Sequence, residues 1–230
     1  MNDKKLENKE VIQFLQNEAK SLLLNYELRL KGVPIILKEI EIYFYKNEVF
    51  EDSSVHRNEL QKSRCGHLYI HRWGKKEADP YKGGRYPGID YVVSTSPDEY
   101  YSYLIRSAVV DGEMAVGPHN VLEAIKKATG LTERNIERFS IERVSNISQS
   151  QILFSKRINL GKTVEEKYRN YPLRAVICDS LFRSTKYPGK ENMVVDFLHD
   201  ELSHNKMDGK QALEFAKEHL GYAPAAIRNN

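Results

Sequence analysis

The sequence predicts an α+β fold built on a curved, mostly antiparallel β-sheet with packed helices. One observation supports this fold class, and a second supports a globular chain. The predicted strands follow one another too closely for the long crossover connections that parallel strands need. The 230 residues are 40% hydrophobic and 29% charged, which is typical of a globular chain with a real core.

The first predicted element is a helix over residues 9–24, where apolar side chains recur at helical spacing. Gly32-Val33-Pro34 then breaks the chain. The next eleven residues alternate in polarity, as an amphipathic strand does. The predicted strands are 35–45, 66–73, 89–94, 101–109, one near 153–159 and one near 172–177.

Helices are predicted again in the middle and at the end of the chain. Gly117-Pro118 is typical of a helix start, and Gly130 is expected to close that helix. Two amphipathic helices are predicted over about 191–203 and 209–220, and Gly221 should stop the second.

Length and charge bound the possible functions. Residues 1–177 are expected to form one α+β domain, with 178–230 as a helical extension packed on the same domain. No apolar run is long enough to span a membrane, and the charged N-terminus is unlike a signal peptide. A net charge of +3 and a pI near 8.6 permit nucleic-acid binding without requiring it. Cys65 and Cys178 are expected to be free thiols in a reducing cytoplasm. The protein is expected to need no cofactor.

The strand at 35–45 contains the candidate catalytic residue. Strict alternation predicts one face with Glu39, Glu41, Tyr43 and Tyr45, and an opposite face with Lys38, Ile40, Ile42 and Phe44. Considered alone, Glu41 is more simply a solvated carboxylate on an exposed face. Histidines, an aspartate and a Leu-Ile-Arg segment follow on successive predicted strands, and they favour a functional interpretation.

Several segments resemble, in order, those of the alkyladenine (3-methyladenine) DNA glycosylase family. Glu39 to Tyr43 resembles the family's Glu-Thr-Glu-Ala-Tyr strand, and Gly66 to His71 its Gly-Thr-Leu-Tyr-Val-Tyr strand. The other similar segments are Glu51 to His56, Leu104 to Ala108, Gly117-Pro118, Arg157 to Gly161 and Pro172 to Arg174. The resemblance covers roughly residues 20–177 and does not extend over 178–230.

The resemblance implies a partial-barrel fold and a monofunctional DNA repair enzyme that excises alkylated or deaminated purines. Such enzymes flip the damaged nucleotide out of the duplex, because its glycosidic bond is inaccessible in the stack. The resemblance implies that Glu41 activates water and that Arg106 helps to hold it. It implies that Tyr43 and His56 contact the flipped base.

Two residues depart from the family pattern inside the implied base pocket. His71 occupies the position of a stacking Tyr, and Asp90 that of a pocket Asn. Both are expected to bind substrate. A second acidic group near Glu41 is expected to favour cationic lesions such as 3-methyladenine or 7-methylguanine over neutral hypoxanthine. The loop at 74–88 is longer than the family's short hairpin.

The implied DNA contacts lie around that loop. Trp73 is interpreted either as a wedge that fills the gap left by the flipped nucleotide or as an anchor of the sheet. Lys75, Lys76, Lys82 and Arg85 are interpreted either as phosphate contacts or as a solvated connection. His67 and His71 lie too far apart along a strand to favour a shared metal.

Three functions remain open on the sequence alone. The main hypothesis is a cytoplasmic, nucleoid-associated glycosylase whose partner is double-stranded DNA containing damaged purines. The alternatives are a non-catalytic nucleic-acid-binding protein on the same scaffold, and a hydrolase of free nucleosides or small glycosides.

Overall fold

A computed structural model describes residues 2–72, 74 and 86–228, with side chains from residue 8 onward. The fold is α+β, and its antiparallel sheet curls into a half-barrel, as the sequence predicts for the fold class. The described strands are β1 (Tyr26–Leu30), β2 (Val33–Lys46), β3 (Phe50–Glu51), β4 (Leu68–Ile70), β5 (Ile89–Val92), β6 (Glu99–Val110), β7 (Glu113–Val116), β8 (Glu142–Ser145), β9 (Gln151–Ser155) and β10 (Arg174–Cys178).

The helices begin and end where local chemistry favours it. Pro118 opens α3, and Gly130 ends it with a left-handed φ of 68°. Gly221 ends α8 in the same way, with φ 83°. The described helices are α1 (Asn2–Asn25), α2 (Glu59–Lys62), α3 (Pro118–Thr129), α4 (Glu133–Ile136), α5 (Glu166–Asn170), α6 (Ser180–Ser184), α7 (Lys190–Ser203), α8 (Gly209–Leu220) and α9 (Ala225–Arg228).

Strand β2 is the centre of the sheet. One edge pairs with β6 from Ile35 to Lys46. The other edge pairs in turn with β1, β10 and β3. Since three different strands share that edge, the sheet branches around β2 and curls. The middle of β2, which carries Glu39 and Glu41, is therefore buried between two neighbouring strands.

A pair of opposed β-bulges interrupts the β2–β6 ladder. Leu37 pairs with Ala108 and Ile40 with Ile105, which leaves Lys38 on β2 and Arg106 on β6 without partners. A bulge adds one residue and exchanges the two faces of a strand. Leu37 and Ile40 accordingly both lie in the core, although residues three apart in a regular strand would lie on opposite faces. The expectation that Lys38 shares a face with Ile40 was therefore wrong.

Several other elements differ from the sequence prediction, among them β3, β7 and β8, which were not predicted. Of the strand expected over 66–73, the described residues form β4 over Leu68–Ile70, and Trp73 lies outside the described residues. The strand begins late because Gly66 has a left-handed φ of 78° and His67 forms only an isolated bridge with Ser140. Strand β1 was not predicted. Leu28 and Leu30 alternate with partly exposed residues there, which is an amphipathic strand pattern.

The core has two main parts. The larger cluster lies between the sheet and the apolar faces of α1 and α3. The second cluster joins the C-terminal helices to the sheet, since Met193 of α7 and Ala212 of α8 pack in one group with Leu153 of β9 and Val176 of β10. Among the described residues, no helix is both long and apolar enough to cross a membrane.

Candidate active site

A cavity of about 680 Å³ opens beside the centre of the sheet. Its walls come from β2, β4, β5 and β6, from the start of α3, and from the segments near residues 53–56 and 158–164. The cavity brings together six residues that the sequence analysis singled out: Glu41, Tyr43, His56, His71, Asp90 and Arg106.

One cross-strand row forms part of the cavity wall. Tyr69 pairs with Asp90, Asp90 with Leu104, and Leu104 with Glu41. Residues directly opposite each other in a sheet point to the same face. All four side chains line the cavity, so the register of three strand pairs places Asp90 and Glu41 on either side of Leu104.

Glu41 is completely buried and hydrogen-bonded. The Ile158 N–H donates to its Oε1 at 2.9 Å, and the Tyr43 hydroxyl donates to its Oε2 at 3.2 Å. Nη1 of Arg106 lies 3.4 Å from Oε1. A carboxylate offers about four acceptor positions, so three contacts leave room for one more donor.

Arg106 owes its position to the bulge. Its Nε lies 3.1 Å from Oε1 of Glu39, while Nη1 reaches Glu41. Its carbonyl oxygen accepts a hydrogen bond of 2.7 Å from the Gly117 N–H, just before α3. The Gly117-Pro118 helix start therefore fixes the backbone of the bulged residue as well as opening α3.

Glu39 is a buried residue whose role the sequence analysis missed. Its Oε1 lies 2.8 Å from Nε and 2.6 Å from Nη2 of Arg174, and it also accepts from Arg106. Ser107 Oγ is 3.4 Å from the other oxygen. One buried carboxylate thus holds two guanidinium groups. The only sequence signal for Arg174 was the similarity of the Pro172 to Arg174 segment to the glycosylase family.

The segment that carries Ile158 is fixed by the preceding arginine. Nη2 of Arg157 lies 2.7 Å from Asp52, and both side chains are fully buried. Its Nη1 donates to the Ile42 carbonyl at 3.1 Å, and its guanidinium lies over the Tyr43 ring at 4.9 Å. These contacts hold the Ile158 N–H against Glu41.

Tyr43 is both a hydrogen-bond donor and part of the cavity wall. Burial, followed by the negative charge of Glu41, holds the pKa of Tyr43 well above its ordinary value. The phenol therefore stays protonated near neutral pH and can donate to the carboxylate. The Arg157 guanidinium covers one face of the Tyr43 ring.

His71 and Asp90, the two departures from the family pattern, are hydrogen-bonded to each other. Nε2 of His71 lies 2.7 Å from Oδ1 of Asp90. Oδ2 of Asp90 accepts from Gln61 Nε2 at 2.8 Å and from Ser102 Oγ at 3.1 Å. Asp90 is only 2% exposed. Both of its carboxylate oxygens therefore have polar partners within the fold.

Gly88 lets the His71 ring approach the backbone. A Cβ at residue 88 would lie 2.9 Å from Nδ1, 3.0 Å from Cε1 and 3.2 Å from Cγ. These nearly equal distances indicate that the ring lies face-on against Gly88. The His56 ring is 5.5 Å away in an edge-on arrangement.

The start of α3 supplies another part of the cavity wall. His119 packs against Tyr86, with ring centroids 5.2 Å apart, and Asn120 lies next to it. Nδ1 of His119 is buried and has no hydrogen-bond partner among the described residues. The sequence analysis did not single out His119, because its type and position on a helix gave no signal.

Five predicted DNA contacts lie outside the described residues: Trp73, Lys75, Lys76, Lys82 and Arg85. His67 is described, and its Nδ1 lies 3.0 Å from the Cys65 carbonyl and not in the cavity wall. Within the described part of the chain, no group of three or more His, Cys, Asp or Glu side chains is placed to hold a metal ion.

Comparison with protein-family models finds no match to this chain, and comparison with curated proteins finds none either. The likeness to the glycosylase family therefore depends on the ordered motifs, together with the cavity that gathers their residues.

Proposed function

We propose that the protein is a monofunctional DNA glycosylase that excises damaged purines from duplex DNA. The observation that carries the proposal is the placement of Glu41. A buried carboxylate with one open acceptor position faces a cavity of about 680 Å³, beside a fixed guanidinium. The volume lies within the range of about 300–1,000 Å³ for small-ligand pockets, which suits a flipped nucleotide.

In the proposed reaction Glu41 accepts a proton from water as the water attacks C1′ of the flipped nucleotide. The glycosidic bond breaks, the base leaves, and an abasic sugar remains. Carboxylate-assisted attack of water is the chemistry of inverting glycosidases. Arg106 orients the water and balances the negative charge of Glu41 at 3.4 Å.

The aromatic residues of the cavity suit a base. Stacking on an aromatic side chain contributes about 1–3 kcal/mol per base, which offsets the cost of unpairing. Tyr43 and His56 supply rings on which a base can stack, and His71 lines the same wall. The basic and aromatic residues of the 73–85 segment would contact the surrounding duplex, as the sequence analysis expects.

The test uses a duplex with a single 7-methylguanine or hypoxanthine, under single-turnover conditions, with chromatography of the released base. Wild-type protein is expected to release the base and leave an abasic site, while Glu41→Gln releases little. No release from any lesion by a folded protein would overturn the proposal. Tight lesion binding without release supports a non-catalytic nucleic-acid-binding protein. Release from free nucleosides alone supports a nucleoside hydrolase.

A further inference from the structure

A neutral purine needs a proton as its glycosidic bond breaks, because its anion is a poor leaving group. A 7-methylguanine already carries a positive charge and needs none. Glu41 is arranged to accept a proton, since its oxygens receive hydrogen bonds from Ile158 and Tyr43 and face Arg106. Excision of neutral purines therefore requires a different proton donor in the cavity.

His71 has the geometry of such a donor. Nε2 of His71 lies 2.7 Å from Oδ1 of Asp90. A carboxylate only accepts hydrogen bonds, so this contact suits an N–H on Nε2. Gln61 and Ser102 satisfy the other oxygen of Asp90, which fixes the carboxylate. Nδ1 forms no hydrogen bond with the described residues, and His71 lines the cavity. Nδ1 is thus the nitrogen available to a base.

The ring is also held in place. Gly88 supports one face, at distances that a Cβ would not permit, while Asp90 holds one edge. A group whose rotation is already restricted loses little freedom when it meets the substrate, which favours catalysis.

On the basis of the proposed function, we infer that His71, as the imidazolium, is the general acid for neutral purines and that Asp90 is its positioning residue. The C1′–N9 bond breaks, and its electron pair passes to the base. The proton on Nδ1 passes to a ring nitrogen of the purine. Water, deprotonated by Glu41, bonds to C1′. His71 is left neutral and takes up a new proton from solvent.

Histidine suits this step because its charge changes near neutral pH. Other titratable or charged side chains line the same cavity: Glu41 and Tyr43 on β2, Tyr69 on β4, Asp90 on β5, Arg106 on β6, His56, Tyr86, and His119 on α3. Burial raises the pKa of Tyr43 and of Tyr69, so both stay neutral where histidine titrates. His56 and His119 are the remaining histidines, and they serve as controls.

The experiment compares release of hypoxanthine with release of 7-methylguanine by wild type, His71→Phe, Asp90→Asn, His56→Phe and His119→Phe. In His71→Phe, hypoxanthine release is expected to fall by about 100-fold, the lower end of a general-acid contribution. Release of 7-methylguanine should fall much less than release of hypoxanthine, and circular dichroism should show that the variant is folded. Asp90→Asn should also reduce release of hypoxanthine more than release of 7-methylguanine, but by a smaller factor than His71→Phe.

The pH profile separates a proton donor from a structural role. Wild-type release of hypoxanthine should fall as pH rises, because a general acid must be protonated to act. His71→Phe should lack this dependence, while His56→Phe and His119→Phe keep it. If His71→Phe does not fold, His71→Gln replaces it with the same expectation.

Equal losses for both bases, or an unchanged pH profile in folded His71→Phe, would overturn the inference. Wild-type protein that releases 7-methylguanine but no hypoxanthine overturns the inference and leaves the proposed function intact. Wild-type protein that releases neither base overturns the proposed function itself.

Discussion

Nη1 of Arg106 lies 3.4 Å from Oε1 of Glu41, and both side chains are almost wholly buried. A guanidinium remains protonated at any physiological pH. The contact therefore places a permanent positive charge beside the candidate general base. The bulge and the Gly117 hydrogen bond hold that charge there without help from a ligand.

Glu41→Gln should reduce excision by at least about 100-fold, the lower end of what a general base contributes. The amide oxygen can still accept from the Ile158 N–H, so the cavity should keep its shape and lesion-containing DNA should still bind. Single-turnover release and a binding assay on the same duplex measure the two effects. A rate close to wild type would exclude Glu41 as the base.

Glu39→Gln should destabilise the fold, because Arg106 and Arg174 would share a neutral partner in a buried site. Removing one partner of a buried ion pair costs about 3–5 kcal/mol. Denaturant unfolding measures the change in the free energy of unfolding. Glu113→Gln is the control, because Glu113 and Lys127 form an ion pair with both side chains about three-quarters exposed. Similar small changes in both variants would show that the buried network contributes little.

Gly88→Ala should slow excision by about 10- to 100-fold, because the added Cβ displaces the His71 ring that it would meet at 2.9 Å. Gly161→Ala is the matched control in the same cavity wall. Its Cβ would lie 3.6 Å from Thr163 Oγ1, an ordinary contact. Excision rates of the two folded variants are compared on hypoxanthine. Equal rates would mean that the position of His71 is unimportant.

The two thiols should differ strongly in reactivity. Burial raises the pKa of the Cys178 thiol from 9.0 to about 12, while Cys65 is exposed. A rise of three units lowers the thiolate fraction about a thousandfold near pH 8, and the thiolate is the reactive form. A Cys65→Ser variant should therefore react slowly with a thiol reagent, faster as pH rises, and at once when unfolded. Rapid reaction of the folded variant would contradict burial of Cys178.

Trp73→Ala should weaken base flipping more than overall DNA binding, if Trp73 fills the gap in the duplex. A fluorescent base analogue at the lesion reports flipping, and salt-dependent binding reports phosphate contacts. Lys75→Ala is the comparison, and it should weaken overall DNA binding more than base flipping. A folded Trp73→Ala protein with unchanged flipping would favour the alternative role as an anchor of the sheet.

Periodicity predicted the parts of the structure that depend on local pattern. The alternation of residues 40–44 correctly separated the core side chains Ile40, Ile42 and Phe44 from Glu41 and Tyr43. The glycine and proline signals correctly bounded α3 and the end of α8. The motif order also selected six residues that the fold brings to one cavity.

The missed features depend on contacts between distant segments. Lys38 and Glu39 are both polar, so alternation alone could not reveal a bulge between them. The burial of Glu39 depends on Arg174, which is 135 residues away in the chain. Asp90 was expected to act on the substrate by its own charge, and its partnership with His71 became visible only through the pairing of β4 with β5.

The opposed bulges restrict how the chain can vary in length. Deleting Lys38 alone would shift the register of β2 against β6 by one residue. Glu39 and Glu41 would then turn toward the apolar core. Deleting Lys38 and Arg106 together would restore regular pairing but remove the guanidinium that joins those acids. Homologous chains should therefore tolerate insertions and deletions in the loops at either end of β2 and β6, but not at these two bulge positions.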